Sequence, residues 1–425
     1  MGHSIKSSVT LKLLSIFVLM MLLMIPINII QGVISEREML KEQTVNEVSS
    51  KWANKQYIYG PILTIPIQKQ VIVDSKLVTV KEEAHILPTK LKIGGEVVPQ
   101  ILNRGIYEVV VYNSELEISG YFERLQDYLE DFSEYEIFLE DAFLTFNVSD
   151  LRGIKEKLII NWAGLDKSVV PGSNIPNLIN SGFTVKDVLS APVEELYEFE
   201  FQMKLQGSQY LGFMPLGKES EVALNSQWKD PSFIGSFLPD TREVSEQGFT
   251  ANWNILELNR NYPQFWIGQK NIQEIKNSSF GVSLLLPIND YQKATRSAKY
   301  ALLAISLTFL TFFLVEIFNK KKLHPFQYIL IGLALCLFYT LLVSISEHSN
   351  FNVAYLISSA VIIAIIGLYA KAILPSLLQV SALVIILCFT YAFVFVTLQV
   401  QDYALLIGSI GLTLILAFTM YITRK

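Results

Sequence analysis

Between Gln31 and Ser297 the chain has no cysteine, so a disulfide framework and a thiolate zinc site are both excluded there. The two cysteines, Cys336 and Cys388, lie in apolar runs further on. Histidine is scarce too: His3, His85, His324 and His348 stand far apart, without the HxxxH or HExxH spacing of a helical metal site. There is no Walker loop, GxGxxG or GxSxG elbow. Charged residues make up 17%, below the roughly 25% usual in soluble domains. No basic patch of the size a nucleic-acid partner would need is present.

Hydrophobic residues reach 51%, and the average hides a division. Residues 31–297 carry 36 acidic and 25 basic side chains, whereas the remainder carries only 3 acidic and 9 basic. An acidic, water-compatible domain of net charge −11 therefore interrupts an apolar, slightly basic chain. Leu13–Ile30 is uncharged and preceded by Lys6 and Lys12. It lacks an A-x-A cleavage site and reads as an uncleaved signal anchor. The MGHSIK start lacks the hydroxyl residue that a myristoylation signal requires. Five further apolar runs follow: Tyr300–Phe318, Phe326–Ser346, Phe351–Ala370, Pro375–Leu398 and Tyr403–Tyr421. Each is long enough for a hydrocarbon core of about 30 Å.

Six spans leave both ends on one side, and charge selects it. With a cytoplasmic N-terminus the inner ends carry Lys6, Lys12, Lys320–Lys322, Lys371, Arg424 and Lys425. The outer ends carry Glu347 and Asp402, with Lys299 the exception. The positive-inside rule then places 31–297 outside the cytoplasm. The span centres hold no ionisable residue, so the bundle is read as apolar rather than as a charged ion path. Glu316 is assigned to snorkelling or an ion pair with Lys320–Lys322, and Gly408 and Gly411 to close helix packing.

Residues 31–56 are read as a helical continuation of the first span. From Tyr57 the period changes to short β-branched and aromatic runs, nine of them, from YIYGPILTIPI to GVSLLLPI. The fold class is therefore an α+β membrane protein in three parts. These are a transmembrane anchor (1–30), a β-rich sandwich- or barrel-like extracytoplasmic domain (31–297) and a five-helix transmembrane bundle (298–425). Glu115–Asp141 holds ten carboxylates and one Arg124, but no calcium-loop spacing. FERLQDYLEDF within it fits an amphipathic helix with a solvated acidic face. His85 is the domain's single candidate base and is read as structural. Glu82–Glu83 and Glu194–Glu195 are adjacent, so in strands they face opposite ways. No catalytic, metal or cofactor residue is assigned.

The loudest stretch is WKDPSFIGSFLPDTREVSEQGFTANW, Trp228–Trp253. Pro231 and Pro239 cannot donate ladder hydrogen bonds, so its middle must be loop or edge. Phe233 and Phe237 are expected to anchor it, with Arg242 in reach of Asp240, Glu243 or Glu246. It reads either as a loop pinned by its own aromatics or as a docking surface. The candidate docking residues are Trp228, Pro231, Ser232, Phe233, Gly235, Phe237, Leu238, Pro239 and Arg242.

This segment resembles the bacterial CreD family. So do IPI (25–27), GPILTIP (60–66), RGIY (104–107), DLRG (150–153), RSAKYALLAISLTF (296–309), LHPFQYILIGLALCLFY (323–339) and SEHSNF (346–351). The resemblance implies a multi-pass inner-membrane protein with a periplasmic domain. It also implies roles in envelope integrity, colicin tolerance and the response to cell-wall-acting antibiotics, and carries over no catalytic residue. The expected partners are membrane lipids and an unidentified envelope protein or cell-wall component; oligomeric state is not specified. The leading function is a non-enzymatic envelope protein whose outer domain engages another component. The alternatives are a transporter or lipid-handling bundle and, behind it, a periplasmic hydrolase built on His85.

Overall fold

The computed structural model describes residues 2–73, 76–172, 181–284, 290–319, 323–374 and 376–399, with 406, 409–411, 413, 417 and 420. The chain divides into two compact units, Met1–Glu42 with Ile288–Lys425, and Gln43–Pro287.

The helical unit begins with α1 (Gly2–Trp52), whose last ten residues group with the β unit. The expected helical continuation beyond the first span is thus present. Numbering α2 (Leu125–Glu130) and α3 (Ile272–Asn277) of the β unit in turn, the bundle continues with α4 (Asp290–Lys299) and α5 (Ala301–Asn319). Then come α6 (Pro325–Ser346), α7 (Phe351–Ile373) and α8 (Leu377–Gln399). Among the described residues four helices are long and apolar enough to span, and five if α4 and α5, bent by 42°, form one crossing. The expected span Tyr403–Tyr421 lies largely outside the described residues; those seen within it are helical. Gly411 sits against the Phe393 ring, as a packing glycine should, while Gly408 lies outside the described residues.

Burial in α6 and α7 recurs every three or four residues. Ile331, Leu335, Phe338 and Leu342 on α6 are buried, as are Ala354, Ser358, Ile362 and Ile366 on α7. The opposite faces show Leu333, Leu337, Leu356 and Leu368, a distribution suited to lipid rather than water. Phe338, Tyr355 and Tyr391 stack edge-on where α6, α7 and α8 meet, and Tyr355 donates to the Tyr391 carbonyl at 2.8 Å.

Two ion pairs fasten α1 to this unit. Lys12 pairs with Glu316, which is only 8% exposed and also accepts from Tyr328 Oη at 3.2 Å. Lys12 donates as well to the Leu323 carbonyl. The partner of Glu316 is therefore the first helix; Lys320–Lys322 lie outside the described residues. Arg37 meets Glu347 at 3.5 Å. Between the clasps Leu23 packs on Gly332, where any side chain would clash. The 25 residues separating Lys12 from Arg37 rise about 37 Å at 1.5 Å each, close to the thickness of a bilayer with its interfaces.

The β unit is two sheets around one core. The larger has the order β14 (Pro231–Gly235), β18 (Phe280–Leu284), β12 (Tyr210–Phe213), β1 (Gln56–Val73), β6 (Phe143–Val148), β10 (Gly182–Lys186), β9 (Val170–Pro171). Off this path β2 (Lys76–Ile86) joins β1 to β17 (Phe265–Ile267), and β5 (Glu136–Ile137) pairs β1. The second runs β15 (Thr241–Ser245), β16 (Gly248–Leu256), β13 (Glu219–Ser226), β3 (Lys90–Arg104), β4 (Tyr107–Glu123), β11 (Leu196–Ser208), β7 (Ile159–Trp162), β8 (Leu165–Ser168). Strict alternation in β11, outward Glu198, Glu200 and Gln202 against inward Phe199, Phe201 and Met203, shows why this face is buried. Phe146 of the larger sheet meets Phe199 and Phe201 of the other, which makes a sandwich. In RGIY, Gly105 takes φ 63° in the two-residue turn joining β3 and β4. The expected acidic helix is the single short α2, which buries Leu125 and Leu129 and ion-pairs Asp127 with Arg124.

Because Glu316 is buried, removing Lys12 leaves an unpaired charge and should cost about 3–5 kcal/mol, whereas replacing both partners with Leu should cost far less. Thermal unfolding of full-length K12A, E316L and K12L/E316L in detergent reads this, and equal losses in the single and double variants would refute it.

Candidate functional site

The segment Trp228–Trp253 ties the free edges of the two sheets together. β14 is the edge strand of the larger sheet, paired with β18, and β15 is the edge of the other, paired with β16. Pro231 opens an edge strand and Pro239 sits in the crossing between the two, as their missing donors demand. Phe233 turns inward, edge-on to Phe249 at 5.6 Å and Trp253 at 5.8 Å; Phe237 meets Phe280 at 6.0 Å. Trp253 Nε1 donates to the Phe237 carbonyl at 3.3 Å. Gly235 adopts φ +114°, with Ser279 and Phe280 backbone where a Cβ would stand. Asp240 accepts from the Asn254 amide at 2.6 Å and fixes the second turn. Trp228 donates through Nε1 to the Asp230 carbonyl, and Ser232 pairs in register with Ser283.

Arg242 differs from expectation. It forms no ion pair with Asp240, Glu243 or Glu246 among the described residues; its guanidinium lies 6.0 Å over the Phe233 ring. Glu246 pairs instead with Lys229 at 3.1 Å. Of the nine candidate docking residues, Phe233 and Phe237 are thus committed to the core and Gly235 to backbone geometry. Leu238 is 63% exposed, and Ile234 and Val244, on the two edge strands, are exposed as well.

Beyond this strap, on the solvent face of the second sheet, lies a trough of about 590 Å³ that the sequence reading missed. Gly94 and Ala223, side by side in register on β3 and β13, supply its floor. Lys92, Glu221, Asn252 and Asp240 form the walls. Lys90 bridges Glu221 at 2.8 Å and holds its carboxyl below the usual range. The signal was small residues at outward positions of two strands, visible only once the register is known.

The second concavity, about 530 Å³, adjoins His85 on β2. His85 is 2% exposed; Nδ1 lies 3.0 Å from Thr64 Oγ1, Nε2 lies 3.9 Å from Glu83 Oε2, and the ring faces Trp266. Glu82 and Glu83, expected on opposite faces, both border the cavity. A hydroxyl, an imidazole and a carboxylate follow one another here, yet Thr64 is fully buried and does not line the cavity, so no substrate reaches its oxygen. Among the described residues no three His, Cys, Asp or Glu side chains gather as a metal ion would need.

Burial holds the His85 imidazole down at about 4. The unfolded chain, near 6.5, then binds the extra proton first, so stability is full above 6.5 and falls as pH drops toward 4. The loss should reach up to about 3 kcal/mol. Glu83, pushed up by burial, opposes it at the acid end. Melting of full-length protein across that range should flatten in H85F; an unchanged slope would contradict the assignment. At the strap, G235A should lower stability by about 1–3 kcal/mol through strain and overlap, whereas L238A should leave the melting temperature within error.

The inner membrane protein CreD family model matches residues 8–425. Inner membrane protein CreD of Escherichia coli strain K12 is 30% identical over 425 residues, covering 99% of this chain and 94% of that protein. Among solved structures, an M1 zinc metallopeptidase from Deinococcus radiodurans aligns at 9% identity and TM-score 0.21, over 43% of this chain and 42% of its own. A mutant of that enzyme bound to a Tyr-Ser-Ala substrate gives 9% and 0.20 over the same shares. Likenesses so slight carry no argument about fold or chemistry. The sequence match runs through helices and sandwich alike, strap included, and on it the chain belongs to the CreD family of inner membrane proteins.

Proposed function

We propose that this protein is a non-enzymatic, six-span inner-membrane protein that supports envelope integrity, with both termini in the cytoplasm and the β unit in the periplasm. The observation that carries the topology is the partition of charge. Eight of the nine basic residues of the membrane part fall at the ends that become cytoplasmic. Docking of another envelope component is assigned to the strap. Its backbone is fixed by Phe233, Phe237 and Asp240, and it presents Leu238, Val244 and Ile234 to solvent. Rigid scaffolds that hold an exposed apolar loop favour binding, because little ordering entropy remains to be lost. The domain's charge of −11 selects a neutral or cationic partner surface.

A hydrolase built on His85 is disfavoured by the burial of Thr64 and of the imidazole itself. A lipid-handling role finds support in the seams between α1 and α6.

The test is complementation of a strain lacking the protein, scored by survival with colicins and cell-wall-acting antibiotics. L238D and V244D should abolish rescue while the protein accumulates at the wild-type level, and H85F should rescue fully. Rescue by the strap variants would sink the docking assignment; loss in H85F at normal abundance would restore the hydrolase.

A further inference from the structure

At one end of the helical unit α1 and α6 part around a cavity of about 210 Å³. Its walls are Ile30, Val33 and Val343, and its rim carries Arg37, Ser344 and Glu347. Glu347 is the C-cap of α6, where the helix dipole disfavours an anion by roughly 0.3–1 kcal/mol. It stays there beside Arg37, whose Nε lies 3.5 Å from Oε1, and Tyr291 donates to the same oxygen at 3.3 Å. A guanidinium and a carboxylate thus stand side by side, 3.5 Å apart, above an apolar notch.

We propose that this notch is a binding site for a zwitterionic phospholipid with a primary ammonium head, of the phosphatidylethanolamine type. The phosphate accepts from Arg37, the ammonium donates to Glu347, and acyl chain fills the space among Ile30, Val33 and Val343. Charge-assisted hydrogen bonds of this kind are short and strong. The selectivity follows from the pair. A phosphatidylglycerol head brings a second hydroxyl but no cation for Glu347, and a phosphatidylcholine head brings a cation that cannot donate. The site adds to the reading above and depends on it only for naming the outer leaflet.

The experiment is native mass spectrometry of the full-length protein released from detergent with added dioleoyl phosphatidylethanolamine, phosphatidylcholine or phosphatidylglycerol. One phosphatidylethanolamine adduct should be retained about tenfold over the other two, a difference of about 1.4 kcal/mol. E347Q should bring phosphatidylethanolamine and phosphatidylcholine to parity. V33W, which fills the notch and leaves the ion pair, should remove the adduct without moving the lipid-free melting temperature. A ladder of adducts indifferent to head group, or an adduct that survives V33W, would overturn the proposal. The result is independent of the strap, whose failure would show in complementation alone.

Discussion

The β unit depends on one carboxylate. Asp150, 8% exposed, accepts from the Asn54 amide and side chain, and from Arg152 through its amide, Nε and Nη2. Arg152 then donates to the Ser50 carbonyl at the end of α1, and Gln56 spans the Asp150 and Gln206 carbonyls. So many donors hold the Asp150 carboxyl down at about 2, the Arg152 contact leading. Its stabilising share is full above the ordinary aspartate range and is lost only as pH falls toward 2. DLRG is therefore the buckle between the last turn of α1, the first strand β1 and the end of β11. Gly153 belongs to it, because a side chain there would strike Gln56 and the Gln206 carbonyl.

The helical unit solves a different problem with the same means. Lipid offers helices no hydrophobic reason to associate, so α1 would be free to drift from α6 without specific contacts. Lys12–Glu316 and Arg37–Glu347 provide them near the two ends of the apolar stretch, and Gly332 lets Leu23 come close between them. A buried ion pair adds little net energy against an apolar substitute, yet it fixes register, since a slip along the helix leaves both charges stranded.

Much of this was legible in the sequence, for a physical reason. A bilayer imposes a length of uncharged residues that needs no partner to be recognised, which made the spans visible in LLSIFVLMMLLMIPINII and its successors. Alternation in LYEFEFQMKLQG announced a half-buried strand just as directly. Short strands were lost: β7, β8, β9, β12 and β17 have two to four residues, too few for a period to show. VIVDSKLVTV, read as one run, divides between β1 and β2. Arg242 has carboxylates close by in sequence, but in an edge strand the neighbours across the sandwich decide, and its guanidinium lies over the Phe233 ring. Glu316 has lysines a few positions away in sequence, while the bundle supplies one 304 residues distant.

The strap shows how a motif and a site come apart. Its prolines, glycine and inward phenylalanines all serve closure of an open sandwich edge, where unpaired strands would otherwise invite aggregation. These are the residues that make the segment recognisable in sequence, and they are the ones least available to a partner. What remains for binding is Leu238 and the solvent side of Arg242, both among the candidates read from sequence, with Ile234 and Val244, which are not. The same holds in SEHSNF, where Glu347 is conspicuous as a charge at a helix end but acquires a role only when Arg37 stands beside it. A recognisable motif therefore locates the scaffold, and the chemistry must be sought in the unremarked side chains that the scaffold holds still.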